Sequence, residues 1–324
     1  MELVKQNDTL AVSIVIPARN EEENVGLLLE SLGALNFPRE KLEIILVDHE
    51  SIDRTGDIAR EYGARVVRKK GGTISSARNL GVSHARAPIV AFLDADCTVS
   101  NDWLERALPY FIDPKVGAVG SYYVVPLEPS TWVRRVLHVQ TEARPKASEG
   151  KWVPAGNMLV RKKIYWECGG FDESLVTCED VDLCYRIAQK YRVIEDTMIR
   201  CFHHGEPKTL QQVFRKELWR GRDNLLGIFR HGFHLDEMPS IVLPLYTVAT
   251  FVLLLASSLL AAFTDSSVWL ALAAGSLFSL PLIGIAALTG IRAGDIRYIP
   301  HLTVLYGAYF LARGLAPFYR WRYV

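Results

Sequence analysis

Two stretches without a single charged residue, Pro239 to Thr264 and Ser266 to Ile291, constrain this chain more than any other feature. Each is long enough to cross a bilayer core of about 30 Å, which takes roughly 20 helical residues. A helix buried in a soluble domain usually keeps a polar side, so these runs (239–264 and 266–291) read as two membrane spans joined at Asp265. A third stretch, 298–319, contains His301 and Arg313. An arginine at mid-bilayer costs about 2.5–3.5 kcal/mol on insertion scales, so this stretch spans, re-enters or lies at the interface. The loop between the two runs offers only Asp265, whereas Arg292 and Arg297 follow the second. The positive-inside rule therefore puts the second loop and residues 1–238 on the cytoplasmic side. Arg320 and Arg322 prefer that side too, which argues against a full third crossing. The amino terminus, MELVKQNDTLAVSIVIPARN, lacks the basic and long apolar regions of a signal peptide.

Ahead of the spans the pattern changes. LAVSIVIP (10–17), LEIILVD (42–48) and APIVAFLD (87–94) are short apolar runs rich in β-branched residues. Stretches of helical periodicity separate them, notably Glu22 to Leu35 with Val25, Leu28, Leu29 and Leu32 on one face. Strands apolar on both sides and alternating with helices imply an α/β fold with a parallel sheet covered on both faces. Ligands of such sheets sit beyond the carboxyl ends of the strands, and here those ends read PARNEE, VDHES and LDADC. Residues 207–238 form a linker in which Leu210, Val213, Phe214, Leu218 and Leu225 oppose Arg215, Lys216, Arg220 and Arg222. That is the pattern of a helix lying on a bilayer, or of an ordinary surface helix with a basic face.

The formal net charge is +1 and no local basic stripe exists, so nothing points to a nucleic-acid partner. Five cysteines without CxxC spacing fit a reduced compartment. Cys178, Cys184, His203 and His204 match no usual zinc spacing.

Asp94 and Asp96 end the third apolar run with one alanine between them. On an extended chain both carboxylates face one side, so both can approach one hard cation such as Mg2+ or Mn2+. A cation held this way completes its shell with substrate phosphates, which makes a nucleoside diphosphate the natural partner.

Four ordered pieces carry a resemblance: VSIVIPARNEEENVGLLLESL, ILVDHESIDRTGDIAREYGARVV, SSARNLGVSHARAPIVAFLDADC and GGFDESLVTCEDVDLCYRI. In this order they resemble family 2 glycosyltransferases of the GT-A fold, a Rossmann-like nucleotide-sugar-binding domain, over about residues 10–205. The resemblance implies metal-dependent, inverting transfer of a sugar from a UDP- or GDP-type donor. It assigns Pro17, Ala18, Arg19 and Glu21 to the nucleotide cradle, Asp48 to the base, and Arg78, Asp94 and Asp96 to the donor. The family usually reads DDGS where this chain has DHES, so His49 and Glu50 depart from it and leave the base open. Glu179 and Asp180 match the acceptor-side acidic motif, with Asp180 as catalytic base. Either His203 or His204 matches a histidine that serves the metal or diphosphate alongside Asp94 and Asp96. Gly156 and Asn157 match a segment lining the acceptor and donor-sugar pocket. The QxxRW motif of processive polysaccharide synthases is absent: Gln212 and Arg215 are followed by Lys216.

The expected organisation is a glycosyltransferase domain over residues 1–206, the linker 207–238 and a membrane region over 239–324. The expected acceptor is carried by the membrane: a polyprenyl-linked sugar, a polyprenyl phosphate or a glycolipid. Competing readings are a polyprenyl-phosphate sugar transferase, whose acceptor is already an anion, and a non-catalytic membrane protein that binds nucleotide sugars.

Overall fold

A computed structural model describes residues 10–126, 131–144, 146–223, 235–264 and 268–319. The first nine residues, Leu225, Asp265, Arg320 and Arg322 lie outside the described residues. The chain divides into two compact units: Met1–Val124 with Pro145–Gly205, and Val125–Arg144 with Glu206–Val324. The second unit thus takes in a stretch, 125–144, that lies inside the sequence limits expected for the first domain.

The first unit begins with a strand–helix alternation: β1 (Val12–Ala18), α1 (Val25–Gly33), β2 (Leu42–His49), α2 (Thr55–Glu61), β3 (Arg65–Lys69), α3 (Ile74–His84) and β4 (Ile89–Leu93). β1 is flanked in parallel register by β2 and β4, and β2 pairs in parallel with β3. Side chains alternate across β1. Ile14 and Ile16 pack with Val25, Leu28 and Leu32 of α1, while Val15 packs on the other face with Ala77 and Val82 of α3. This half is the doubly covered parallel sheet that the apolar runs imply.

The remaining strands are β5 (Cys97–Val99), β6 (Val116–Gly120), β7 (Ala147–Gly150), β8 (Asn157–Arg161), β9 (Arg192–Asp196) and β10 (Cys201–His203). They turn the sheet mixed. β8 runs antiparallel to both β4 and β6, and the full order is β3-β2-β1-β4-β8-β6-β9-β7. β5 and β10 form a separate antiparallel ribbon in which Cys97 faces His203. The helices of this unit are completed by α4 (Trp103–Ala107), α6 (Lys162–Glu167) and α7 (Glu179–Ala188), with α5 (Trp132–Glu142) belonging to the second unit.

The second unit contains α5, α8 (Leu210–Arg220), α9 (Met238–Ala261), α10 (Val268–Arg292) and α11 (Ile299–Leu315). A capping box starts α8: the Thr209 hydroxyl accepts from the Gln212 N–H, and the Gln212 carbonyl oxygen accepts from the Thr209 N–H. α9 and α10 have 24 and 25 residues, both with mean hydropathy 2.0, and most of their surface is exposed. Length and composition suit both to a bilayer. α11 has 17 residues, about 25 Å at 1.5 Å per residue, and falls short of the hydrocarbon core. Its Arg313 is not left bare, because Nε donates to Glu217 Oε2 of α8 at 2.8 Å.

Candidate functional site

Strand ends β1, β2 and β4 open onto a cleft of about 370 Å3. Pro17, Ala18, Arg19 and Glu21 line it from the β1 side, His49 from β2, and Asp94 and Asp96 from β4, with His203 closing it from β10. The β1 loop is tied to the β2 loop by side chains. Asn20, at φ 56°, accepts from the Ile52 N–H through Oδ1 and donates its own N–H to Ser51 Oγ. Asparagine tolerates this left-handed conformation because its short amide bonds locally. The Glu21 N–H donates to Thr55 Oγ1 at 2.7 Å. Burial raises the Glu21 pKa, and the charges of Asp96 and Asp94 push it the same way.

Arg78 is the central residue of the site. It lies on α3, is 2% exposed, and sends Nη2 to Asp94 Oδ1 at 2.8 Å and Nη1 to Glu179 Oε1 at 2.7 Å. Those residues are 16 and 101 positions away in sequence. The expected fork to the donor is instead a fork to two carboxylates. Burial opposes the guanidinium charge, but Asp94 and Glu179 outweigh it and raise the pKa of Arg78.

Both oxygens of Asp94 have partners, Arg78 on one and the Tyr123 hydroxyl on the other at 2.8 Å. Burial would raise the Asp94 pKa, but Arg78, His203 and Tyr123 together hold it below the usual value. Asp96 is placed differently. Its Oδ1 lies 3.5 Å from His203 Nε2, and donor atoms of Asp96, Cys97 and His203 lie within 4.8 Å of one another. Burial, then Cys201, pushes the Cys97 thiol well above its ordinary pKa, so the suitable ligands are the carboxylate and the imidazole. One oxygen and one nitrogen donor at a largely buried site fit a borderline ion such as Mn2+. His204 turns the other way, with Nε2 2.9 Å from Thr98 Oγ1. Strand alternation thus separates two adjacent histidines that the sequence leaves equivalent.

Two glycines make these approaches physically available. A Cβ on Gly156 would lie 2.2 Å from both Asp94 Oδ2 and the Tyr123 hydroxyl, and a Cβ on Gly205 would lie 2.2 Å from Asp96 Oδ2. Gly205 is absent from the sequence reading; its only signal there is its place directly after the histidine pair.

At the acidic motif expected to serve the acceptor, α7 begins with Glu179 and Asp180 after Cys178, which is held at φ 64°. Such a conformation costs a non-glycine residue about 1–2 kcal/mol. Glu179 is buried, and burial followed by the Asp180 charge pushes its pKa up to about 7, against the pull of Arg78. Asp180 is more exposed and accepts from the Ala155 N–H through Oδ2 at 3.2 Å.

Two expected site residues sit elsewhere. Asn157 is fully buried; its amide donates to the Ser121 and Ile199 carbonyls while Oδ1 accepts from Trp103 Nε1. It braces β8 rather than lining a pocket, because every polar group of the side chain is engaged. Asp48 is 6% exposed, accepts from the Ser51 N–H through Oδ1, and lies against Gly56, outside the cleft lining.

Residues 13–169 match the family described as Glycosyl transferase family 2. A probable glycosyltransferase of Bacillus subtilis is 31% identical over 199 residues, 54% of this chain and 46% of that protein. A beta-monoglucosyldiacylglycerol synthase of Nostoc is 30% identical over 191 residues, 54% of this chain and 41% of that protein. The chain thus spans less than half the length of these curated relatives. A mannosyltransferase of Pyrobaculum calidifontis, solved with GDP-Man and Mn2+, superposes with a TM-score of 0.63 at 19% identity, covering 95% of this chain and 87% of that one. The likeness establishes the GT-A fold. With that fold, the matched residues 13–169 and the ordered motifs on its strand ends, this part of the chain is a glycosyltransferase family 2 domain.

Proposed function

We propose that this protein transfers a sugar, with inversion, from a nucleoside-diphosphate donor to a hydroxyl of a membrane lipid or lipid-linked acceptor, with a divalent cation bound at Asp96 and His203. The observation that carries the reading is Arg78, which binds one acid on the donor side and one on the acceptor side. Of each acidic pair, the member that Arg78 does not hold, Asp96 or Asp180, is the one given to chemistry in this reading.

In the proposed reaction the acceptor oxygen bonds to the anomeric carbon as the bond from that carbon to the diphosphate oxygen breaks. Asp180 takes the hydroxyl proton during attack, a contribution of about 10² to 10⁴ in rate. The cation, when bound, offsets the charge of the departing diphosphate. Glu179, buried against Arg78, fixes the start of α7 and therefore the position of Asp180. The two long apolar helices α9 and α10 and the monoglucosyldiacylglycerol product in the name of the Nostoc relative support a lipid acceptor.

Release of UDP or GDP from nucleotide sugars, measured with Mn2+ and bilayers of membrane lipids, tests the reading. Turnover that Asp180→Asn lowers by about 10³-fold while nucleotide binding persists is the expected result. If the protein binds nucleotide sugars but consumes none with any lipid acceptor, it is a binding protein and the reading is wrong.

A further inference from the structure

The second unit contains a groove of about 530 Å3 that the sugar-transfer reading leaves unused. Three helices build it. α11 packs against both α8 and α10 and supplies Val304, Gly307 and Ala308, while Phe214 of α8 and Phe278 and Leu282 of α10 stand on either side. The space exists because two of the α11 positions facing it carry only a hydrogen and a methyl. The lining offers little to water. Ser279 Oγ donates to the Gly275 carbonyl at 2.7 Å and Thr303 Oγ1 to the Ile299 carbonyl at 2.8 Å, so both hydroxyls are engaged by their own helices. Gln211 of α8 is the remaining polar side chain of the lining. An apolar space of this kind excludes water and accepts hydrocarbon.

What fills it follows from the helices around it. α10 has the length and hydropathy of a membrane span, and its Leu280 and Ile283, next to the lining residues Ser279 and Leu282, are exposed. The groove is continuous with the surface that this helix offers to a bilayer, so a lipid chain is the hydrocarbon at hand. At about 30 Å3 for a group the size of a water or a methylene, the volume holds roughly eighteen methylenes. That is one fatty acyl chain. A polyprenyl chain, several times longer, would leave most of its length outside. The headgroup is indicated by α8. Arg215 stands one turn beyond Gln211 on the same face, exposed and with no ion-pair partner among the described residues, and Trp219 follows one turn later, also exposed. Tryptophan and arginine on one helix face suit the headgroup level of a bilayer, where a guanidinium meets phosphate.

We propose that this groove binds one acyl chain of an anionic phospholipid, with the phosphate on Arg215, as a lipid that is held and not glycosylated. The inference rests on the bilayer placement of α9 and α10, and on neither the donor nor the acceptor chemistry above.

Native mass spectrometry of the full chain released from neutral detergent micelles, titrated in turn with phosphatidylglycerol, phosphatidylcholine and diacylglycerol, supplies the test. The wild type is expected to hold one phosphatidylglycerol, with phosphatidylcholine about fivefold weaker, the size of one arginine at an anionic surface. Ala308→Leu puts three more carbons into the groove and should weaken both phospholipids by about 50-fold. If that variant does not fold, Gly307→Ala, whose methyl meets Leu282 Cδ1 at an ordinary 3.6 Å, should weaken both by about fourfold. Arg215→Gln should abolish the preference for phosphatidylglycerol and leave phosphatidylcholine affinity unchanged. No phospholipid on the wild type, affinities unaltered in the groove variants, or a preference unaltered in Arg215→Gln overturns the proposal. Diacylglycerol held more tightly than either phospholipid assigns the groove to a neutral acceptor and overturns it too. Sugar transfer is read separately: a chain that holds phosphatidylglycerol but transfers no sugar to any lipid leaves the groove assigned and contradicts only the transferase reading.

Discussion

Asp94 with Asp96 and Glu179 with Asp180 are two acidic pairs built on one plan with opposite electrostatics. In each pair Arg78 takes one member and leaves the other to different neighbours: His203 lies beside Asp96, and the Ala155 N–H donates to Asp180. Asp94 has further help from His203 and the Tyr123 hydroxyl and stays an anion, its pKa held low. Glu179 faces the charge of Asp180 and keeps a proton up to near neutrality. The difference follows from the neighbours, since the arginine is shared. In the proposed reaction it gives the donor side the standing negative charge that a cation needs, and the acceptor side a pair that trades a proton in the working pH range. Backbone strain accompanies both: Cys178 precedes the second pair at φ 64°, and Asn20 in the β1 loop of the cleft that the first pair lines has φ 56°.

Removing the shared partner should produce the largest effect. Arg78→Met strands two buried carboxylates and is expected to lower stability by about 3–5 kcal/mol, read by thermal melting, with loss of turnover. Arg78→Lys cannot fork to both acids and should fall between the variant and the wild type.

On the donor side alone, Gly205→Ala drives a methyl into the position 2.2 Å from Asp96 Oδ2. Mn2+ affinity should fall about 10- to 100-fold with little change in melting temperature, as measured by paramagnetic resonance of the free ion.

The acceptor side has a pH signature. The folded-state pKa of Glu179 is raised to about 7 from 4.5, so its contribution to stability is full below pH 4.5 and is lost as pH rises through 7. Asp180→Asn removes the neighbouring charge. Between pH 5 and pH 8 the variant should gain on the wild type by roughly 1 kcal/mol in thermal melts. A variant that loses as much stability as the wild type between these two pH values would place the proton elsewhere. The smallest effect is at the strained cap. Cys178→Gly should stabilise the fold by about 1 kcal/mol, because glycine adopts φ 64° without cost to Cβ.

Much of this architecture is written locally. The apolar runs marked β1, β2 and β4, the spacing of Val25, Leu28, Leu29 and Leu32 marked the buried face of α1, and polar strand ends marked the cleft. Local periodicity carries no information about partners far away in sequence. Arg78 meets Glu179 across 101 residues, and nothing in SSARNLG announces a buried double ion pair. Asn157 follows Gly156 in sequence, yet only the packing of Trp103 and the carbonyls of Ser121 and Ile199 shows that its amide is internal. Alternation decides between His203 and His204, but which side faces Asp96 depends on how β10 pairs with β5. The mixed half of the sheet was hidden for the same reason, since strand direction is set by connections rather than by composition.

The assignment of Asp94 to Arg78 and of Asp96 to the cation is tested most directly by Mn2+ titration of Asp94→Asn and Asp96→Asn, followed by paramagnetic resonance with UDP or GDP present. Asp96→Asn should weaken Mn2+ binding by about 100-fold, and Asp94→Asn, whose carboxylate is engaged by Arg78 and Tyr123, by less than about tenfold. Equal losses, or the larger loss at Asp94, would contradict it.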